Sequence, residues 1–472
     1  MEQLNQIEQT KKENLTEELL IKEEKVKALQ KEIREKNKQI KHIESSNTFK
    51  LSTFINRIKS VFQRLLFRKE IEEQKRYIAT LENKLAETEK QLFESKELVQ
   101  ELKLKDSQIH SNEIYKFIRE MKDDGELLSF LDRFISEKNK QQNNYKEALT
   151  YAARLYMNAE KPYKNQLFEK ILAGLSIEEI PEFMIRSGLS EHPIPLNQVA
   201  SFRANMNIRM RKQQLQGMLP EWYFDDKRRS YKFVDQLGIT IPKIDDEHYS
   251  IETLPKRKGV VVKPVDAAGA RGVYLVHDFD DIFDVKNSIK ISSWDNLKLS
   301  MQRDLESGAV DDDEWMIEEL IYENRAEKVP ARDVKFYCFY GKVGIILEII
   351  REPEVRHCWW TADGKRVTTG KYDESLFNGL GVTEEELEMA ARLSKEIPTP
   401  FIRIDFLRGE DGLVFGELTP KPGNYDEFDD ETDRALGDYF LEAEAKLVND
   451  LMNGKQFEQY KQFIDEIEQL TV

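Results

Sequence analysis

Two acidic residues near the C-terminal end of the chain are placed where they could hold a metal ion. Asp405 lies at the end of the apolar stretch FIRIDF, residues 401–406, and Glu417 lies in the next apolar stretch, GLVFGELT, residues 412–419. Two carboxylates on neighbouring strands, facing one side, suit Mg²⁺ that also binds nucleotide phosphates. The alternative is a pair of acids on an exposed hairpin, so a phosphate-binding element is needed elsewhere in the chain.

A candidate phosphate-binding element lies upstream, at residues 260–276. The β-branched run VVVKP contains Lys263, and a loop of small residues, 266–272, follows before the next apolar run. Small side chains let backbone N–H groups approach a phosphate, and a lysine adds positive charge beside them. The lysine precedes the loop and strands flank it, so this is not the P-loop of nucleoside triphosphatases. A plain β-hairpin with a flexible turn is the alternative.

Taken in order, these segments resemble the ATP-grasp family. The closest similarity is to the TupA-like ATP-grasp group, named for teichuronopeptide biosynthesis. The shared features are the strand DVKF at 333–336, before a Phe-x-Gly-Lys turn, and the segment GELTPKPG at 416–423. The resemblance covers roughly residues 222–450. It implies an α+β protein whose C-terminal ATP-grasp fold binds a nucleotide between two α+β lobes, with ATP and Mg²⁺ as cofactors.

The resemblance also implies roles for individual residues. The segment YKFVDQLGITIP at 231–242 is similar to the family's entry helix and strand, and WMIEELIYE at 315–323 to the hinge that clasps adenine, with Glu323 near the ribose. Nucleotide contacts are expected from Lys232, Lys263, Gly269, Arg271, Gly272, Glu318, Glu319, Ile321, Glu323 and Lys335.

The metal ligands implied by the resemblance are Asp405, Glu417 and Thr419. Many family members have asparagine at the last of these positions. Threonine is a shorter and weaker metal ligand, which puts a second Mg²⁺ in doubt. Arg351, at the end of the stretch GIILEII, is the first candidate for stabilising the transferring phosphoryl group and the oxyanion, and Arg403 is the second. Arg351 could equally cap an exposed strand beside Glu352.

Composition bounds the class of protein. The chain has 472 residues, enough for two or three domains, and a formal net charge of −16, which argues against broad binding of nucleic acid. Cys338 and Cys358 are too few to form a disulfide framework. The start of the chain does not resemble a signal peptide, and no apolar run is long enough to span a bilayer. The expected location is therefore the cytoplasm, with the inner face of the plasma membrane as an alternative.

Residues 1–106 have the pattern of a coiled coil. Ile71, Ile78, Leu85, Leu92 and Val99 follow one another at seven-residue intervals, and Leu19, Val26, Ile33 and Ile40 do the same earlier. A sustained heptad repeat predicts helices that bury a shared seam, here most simply in a homodimer. Lys22, Lys36, Thr88 and Ser95 weaken the seam. A long single helix held by charge pairs is the alternative.

A basic amphipathic segment, residues 48–69, interrupts the heptads. It contains ten apolar residues, six Lys or Arg residues and no acid. On a helix it would present an aromatic–aliphatic face and a basic face, which suits an anionic membrane surface. Packing against the coiled coil or another chain is the alternative.

The predicted architecture therefore has four parts. Residues 1–106 form the interrupted coiled coil, 107–220 a helical region of unassigned role, 221–454 the ATP-grasp-like catalytic domain, and 455–472 a C-terminal helix. The predicted function is an ATP- and Mg²⁺-dependent carboxylate–amine ligase that makes or modifies a cell-surface polymer. Its expected partners are a carboxylate and an amine, from a sugar acid, an amino acid or a polymer end. A sugar or polymer kinase, and a membrane scaffold with a degenerate nucleotide site, are the alternatives.

Overall fold

The structure, a computed structural model, describes most of the chain. The residues described are 21–22, 24–42, 60–105, 111–123, 125–189, 194–245, 247–265 and 270–471. They form two compact units that meet in sequence between Arg154 and Leu155. This limit lies inside the predicted helical region, residues 107–220.

The first unit is helical. Its helices are α1 (residues 21–42, with residue 23 not described), α2 (Ser60–Lys105), α3 (Ser111–Asp123) and α4 (Leu127–Leu155). Helices α1 and α2 run antiparallel and contact each other. Lys22 Nζ donates to Ser95 Oγ at 2.9 Å near one end, and Tyr77 hydroxyl donates to Glu32 Oε1 at 2.8 Å nearer the other.

The heptad residues pack within one chain. Val26 and Ile40 of α1 are buried, as are the α2 residues Ile71, Ile78 and Leu81. Because an antiparallel hairpin already covers this seam, the repeat does not require a second chain, and homo-oligomerisation stays a prediction. Of the predicted basic segment, residues 48–59 lie outside the described residues, and 60–69 form the start of α2.

The second unit is a mixed α and β structure. Its helices are α5 (Lys161–Leu172), α6 (Glu182–Gly188), α7 (Phe202–Gln216), α8 (Lys227–Gln236), α9 (Trp294–Glu306), α10 (Glu384–Lys395), α11 (Asp430–Met452) and α12 (Glu458–Thr471). Short 3₁₀ turns occur at Ile177–Glu179, Asn197–Val199, Pro220–Phe224 and Tyr425–Glu427. The prediction of a mixed α and β protein is confirmed.

Two antiparallel sheets make up the β part of this unit. The first sheet contains β1 (Val260–Pro264), β2 (Tyr274–Asp278), β3 (Asp281–Asp284), β4 (Ile289–Ile291) and β5 (Trp315–Glu319), in the order β4-β3-β2-β1-β5. The second contains β8 (Arg332–Cys338), β9 (Val343–Ile350), β10 (Arg356–Thr361), β11 (Arg366–Val367), β12 (Ile402–Gly409) and β13 (Gly412–Thr419), in the order β11-β10-β9-β8-β12-β13. A short ribbon, β6 (Tyr322–Asn324) with β7 (Val329–Pro330), follows β5 in the chain.

Each sheet has its own apolar core. Helix α9 packs its buried residues Trp294, Leu297 and Met301 in one cluster with the first sheet. The larger cluster belongs to the second sheet and includes Phe202 of α7, whose ring centroid lies 4.9 Å from that of Phe401. Helix α7 therefore belongs to the core of the second sheet, although its residues fall within the predicted helical region.

The C-terminal segment packs against the same core. In α12, Phe463 is fully buried and stacks on Phe224 at a centroid distance of 5.3 Å. Among the helices of the described residues, none has the length and apolar character needed to cross a bilayer.

Candidate active site

The second sheet brings one lysine and two acids into a single row. Lys335 on β8 is paired in register with Asp405 on β12, and Asp405 is paired with Glu417 on β13. Since side chains alternate along a strand, Asp333 and Arg403 lie on the same side of the sheet as this row. We call this side the site face, defined by Asp333, Lys335, Arg403, Asp405 and Glu417.

Arg403 ties the acids of the site face together. Its Nε and Nη2 donate to the two carboxylate oxygens of Asp405, each at 2.7 Å. Nη2 also lies 3.1 Å from Thr419 Oγ1 and 3.4 Å from Glu417 Oε1. Lys335 Nζ forms an ion pair with the nearly fully buried Asp405. The predicted metal ligands Asp405, Glu417 and Thr419 therefore lie together. The positive charges of Lys335 and Arg403 offset the charge of the two carboxylates.

The electrostatics of Glu417 suit a metal ligand. Burial opposes its ionisation, but the charges of Lys335, Lys227 and Arg403 outweigh burial and lower the pKa of Glu417 to about 2. The carboxylate is thus ionised at neutral pH and can bind a hard cation. Among the described residues no cluster of three or more His, Cys, Asp or Glu could hold a metal by itself. Two carboxylates and a hydroxyl suit Mg²⁺ that takes its other oxygens from phosphates and water.

Lys263 and Glu318 form the counterpart on the first sheet. Lys263 on β1 is buried and ion-paired with Glu318 on β5, whose Oε1 also accepts from the Tyr231 hydroxyl at 3.1 Å. Burial lowers the pKa of the Lys263 amine, against the raising influence of Glu318 and Glu417. Tyr231 also packs edge-on against Phe415 of β13, with ring centroids 5.8 Å apart, so it joins the Lys263–Glu318 pair to the strand that carries Glu417.

The predicted glycine loop is described only in part. Gly269 lies outside the described residues, and Arg271 is exposed. Gly272 has φ +66°, and a Cβ there would lie 2.7 Å from Pro264 Cγ and 2.8 Å from Val310 Cγ2. Both the backbone conformation and the close packing therefore require glycine at this position.

The predicted adenine hinge, residues 315–323, comprises β5 and the start of β6. The N–H of Glu319 donates to the carbonyl of Lys243 at 2.8 Å, and the carbonyl of Ile321 accepts from Ala331 at 2.9 Å. Glu323 accepts two hydrogen bonds from Arg332, at 2.8 and 2.7 Å. The carboxylate expected near the ribose is thus held in place by an arginine.

Arg351 lies at the end of β9 on the site face. Its guanidinium donates to both oxygens of Asp333, at 2.7 and 3.1 Å. The charge of Asp333 is the main reason why the pKa of Arg351 is raised, and Glu417 and Asp405 contribute. Asp333 therefore orients Arg351 toward the acids, whereas Arg403 contacts them directly.

Lys232, on helix α8 of the predicted entry segment, contacts the C-terminal helix α12. Lys232 Nζ forms an ion pair with Glu466 of α12 at 2.7 Å, and both side chains are about half exposed. Lys227, one residue after the N-cap Asp226 of the same helix, is the lysine whose charge acts on both Lys263 and Glu417. Sequence reasoning missed Lys227, although its position at the start of the helix was a usable signal.

Lys371 is a second residue that sequence reasoning missed. It is 2% exposed, its amine donates to the carbonyl of Gly423 at 2.5 Å, and it lies over the rings of Tyr372 and Phe428. Burial and then the charge of Arg403 lower its pKa to about 8. A buried cation close to Arg403 is suited to an anionic group of a substrate. The sequence around Lys371 contains no pattern that predicts a binding residue. Its position near Arg403 depends on how the loop folds onto the sheet.

The low pKa of Lys371 predicts an alkaline limb in the pH profile. Below about pH 8 the amine is charged and attracts an anion, and above it the charge is lost. We therefore expect kcat/KM, which reports the free enzyme, to fall as the pH rises through this value. Lys371→Arg should move the limb to higher pH. Lys365→Arg, at an exposed lysine nearby, is the control; an identical limb in all three proteins would contradict a role for Lys371.

Comparison with protein families shows which family the chain belongs to. The family model of TupA-like ATP-grasp proteins matches residues 204–441, which is half of the chain. The chain belongs to the TupA-like ATP-grasp family. ATP-grasp ligases use ATP with Mg²⁺, so the predicted family and cofactors are confirmed, and the family's enzyme class is the predicted one. No curated protein sequence matches the chain.

Solved structures of ligases are similar over part of the TupA-like chain. The D-alanine–D-alanine ligase of Bacillus anthracis with ATP is 14% identical, with a TM-score of 0.28, and the match covers 49% of this chain and 66% of that one. The Helicobacter pylori D-alanine–D-alanine ligase is 14% identical, with a TM-score of 0.27 and coverages of 45% and 58%.

A third similar structure is the macrocyclase MdnC of Microcystis aeruginosa with its precursor peptide MdnA. It is 12% identical, with a TM-score of 0.24 and coverages of 46% and 60%. The TupA-like chain thus spans less than two thirds of the length of all three proteins.

Proposed function

We propose that this TupA-like protein is an ATP- and Mg²⁺-dependent carboxylate–amine ligase that acts through an acyl phosphate. The observation that carries the proposal is the row of Lys335, Asp405 and Glu417, joined by Arg403. The Lys263–Glu318 pair is connected to β13 of this row through Tyr231. Cations and metal-binding acids in one site suit phosphoryl transfer, which depends on positioning and charge neutralisation.

Each residue would have a defined task. Lys263, Lys335 and Lys227 would bind the phosphates, and residues 318–321 of the hinge would line the base. Asp405, Glu417 and Thr419 would hold Mg²⁺, which when bound offsets the charge of the phosphates. Ligand binding would replace the present ion pair between Lys335 and Asp405 and free the lysine for a phosphate oxygen. Arg403 and Arg351 would then stabilise the oxyanion.

The reaction has two steps. A carboxylate oxygen of the first substrate attacks the terminal phosphorus of ATP, and ADP leaves. An amine then attacks the carbonyl carbon of the acyl phosphate, inorganic phosphate leaves, and the amine loses a proton. The products are an amide, ADP and phosphate, and two cationic side chains near the reacting carbonyl would stabilise the negative oxygen of the second step.

The substrate class we propose is a component of a bacterial cell-surface polymer. Similarity to the TupA-like group supports a sugar acid or polymer carboxylate as one substrate and an amino acid as the other. Arg351, Arg403 and Lys371 add positive charge beside the metal ligands, which is compatible with an acidic substrate.

Screening for product formation tests this function. The purified protein would receive ATP, Mg²⁺, and pools of uronic acids, amino acids and short polyglutamates, with ADP assayed and products analysed by mass spectrometry. An amide formed together with ADP and phosphate supports the ligase. A phosphorylated sugar without free phosphate would instead identify a kinase, and no ADP with any pool would contradict both activities.

We further propose that residues 1–106 serve localisation and assembly rather than catalysis. None of the site residues lies in this segment, and its predicted basic stretch suits an anionic membrane. Deleting residues 1–106 should therefore leave ATP affinity within about twofold of the full chain.

Two measurements separate the tasks of this segment. Vesicles of anionic lipid should retain the full chain and release the variant in which Arg57, Lys59 and Arg64 are all changed to glutamate, since each basic residue near such a surface contributes about 1 kcal/mol. Light scattering would report the oligomeric state of the full and shortened chains. Equal vesicle binding of variant and wild type would contradict membrane attachment.

A further inference from the structure

The turn after β9 links the two sheets. Arg351 begins this turn and belongs to the site face, and the next residue, Glu352, extends toward the first sheet. Glu352 Oε2 lies 3.7 Å from Nε2 of His277 on β2, and Glu352 Oε1 lies 3.8 Å from Nζ of Lys290 on β4. Neighbouring residues of one turn thus contact Asp333 of the second sheet and His277 and Lys290 of the first.

His277 connects Glu352 to the hinge. The imidazole is buried, and its Nδ1 lies 3.2 Å from the hydroxyl of Tyr322, which belongs to the predicted adenine hinge at 315–323. When the Tyr322 hydroxyl donates to Nδ1, the proton of the neutral ring is on Nε2, the nitrogen that faces Glu352. The polar chain Tyr322–His277–Glu352 therefore runs from the hinge to the turn that begins with Arg351.

Arg351 consequently has two supports. Asp333 holds its guanidinium through two hydrogen bonds within the second sheet. The contacts of Glu352 hold the backbone of the turn against the first sheet, because its side chain is only 20% exposed and lies between His277 and Lys290. Asp333 fixes the guanidinium relative to β8, which meets the hinge through Ala331 and Arg332, and Glu352 adds a second link through the first sheet.

We propose that Glu352 is a positioning residue that, through His277 and Tyr322, sets the place of Arg351 relative to the bound nucleotide. The inference rests on the proposed function, in which Arg351 stabilises the reacting groups. Glu352 itself contacts neither substrate nor metal. Its contribution is geometric, and small displacements of a catalytic cation have large effects on rate.

Single substitutions give the first test. Glu352→Ala should lower kcat for ADP formation by about 10- to 100-fold, with the Kd of ATP within about twofold of wild type. Glu352→Gln should recover part of the loss, since the amide keeps the size of the side chain and a polar oxygen beside His277. Glu354→Ala is the matched control, because Glu354 lies in the same turn, is 59% exposed and pairs only locally with Arg356 among the described residues.

A double-mutant cycle gives the decisive test. If Glu352 acts by placing Arg351, Glu352→Ala should have little further effect in a protein that already carries Arg351→Ala. Fully additive losses in kcat would overturn the inference, as would an unchanged kcat in Glu352→Ala. Melting curves of every variant separate loss of folding from loss of positioning, and Glu352→Gln keeps the test valid if the alanine variant unfolds.

The outcomes are distinct from those that bear on the proposed function. A wild-type protein that forms no ADP with any substrate pool contradicts the proposed function itself. A wild-type protein that forms ADP, alongside a Glu352→Ala variant of equal kcat, overturns only the positioning role.

Discussion

Glu417→Gln is expected to reduce turnover at least about 100-fold while ATP still binds. The amide keeps the size of the side chain but removes the charge that lies in the row with Asp405 and Lys335. Because the pKa of Glu417 is held at about 2, the wild-type carboxylate is ionised over the whole working range of pH, so the loss should not depend on pH. Steady-state ADP release and calorimetric ATP titration would measure the two quantities.

Asp411→Asn is the matched control for this substitution. Asp411 lies in the exposed turn of the same β12–β13 hairpin, so the same chemical change is made away from the site face. Its turnover should stay within about twofold of wild type, as for most exposed substitutions. Turnover of Glu417→Gln within about threefold of wild type would show that Glu417 is a hairpin acid and not a metal ligand.

Lys263→Met should weaken ATP binding by about 1.5–3 kcal/mol, or about 10- to 150-fold in Kd. The substitution removes a charged donor from the first sheet but keeps the aliphatic part of the side chain. In the wild-type structure Glu318 contacts Lys263 and the Tyr231 hydroxyl. The substitution removes the first contact and leaves the buried carboxylate with the second, so some loss of stability is expected as well. Binding should therefore be titrated well below the melting temperature of the variant.

Two comparisons isolate the phosphate contact. Lys258→Met removes a lysine that is 65% exposed and lies just before β1, and should leave ATP affinity unchanged. Combining Lys263→Met with Glu318→Gln should restore stability, since the unpaired charge is gone, without restoring affinity. An unchanged Kd in Lys263→Met would remove Lys263 from the nucleotide site.

The two strands of the proposed metal-binding row were predictable, but their register was not a matter of alternation alone. Counting back from the turn would pair Asp405 with Gly416, and a register shift next to Asp405 pairs it with Glu417 instead. Their pairing with Lys335 required only that β8 lie beside β12, which the family resemblance supplied. The local pattern located the strands, and the family resemblance supplied the choice of Asp405, Glu417 and Lys335 as one group.

The remaining features depend on tertiary packing that no short pattern encodes. Lys227 and Lys232 lie on one helix, and only the direction in which that helix packs decides which lysine faces Glu417. Lys371 gains its role when its loop folds back to Gly423. A heptad repeat shows that a seam must be buried, but the partner helix can belong to the same chain, as Lys22 and Ser95 show.

The fate of a carboxylate oxygen tests ligation through an acyl phosphate most directly. A carboxylate substrate found by the screen would be labelled with a heavy oxygen isotope and incubated with the protein, ATP, Mg²⁺ and the amine. In the proposed reaction one labelled oxygen leaves with the phosphate, so mass spectrometry should find the label in inorganic phosphate in a one-to-one ratio with amide. Amide formed with unlabelled phosphate, or label retained wholly in the product, would contradict the acyl phosphate and with it the proposed mechanism.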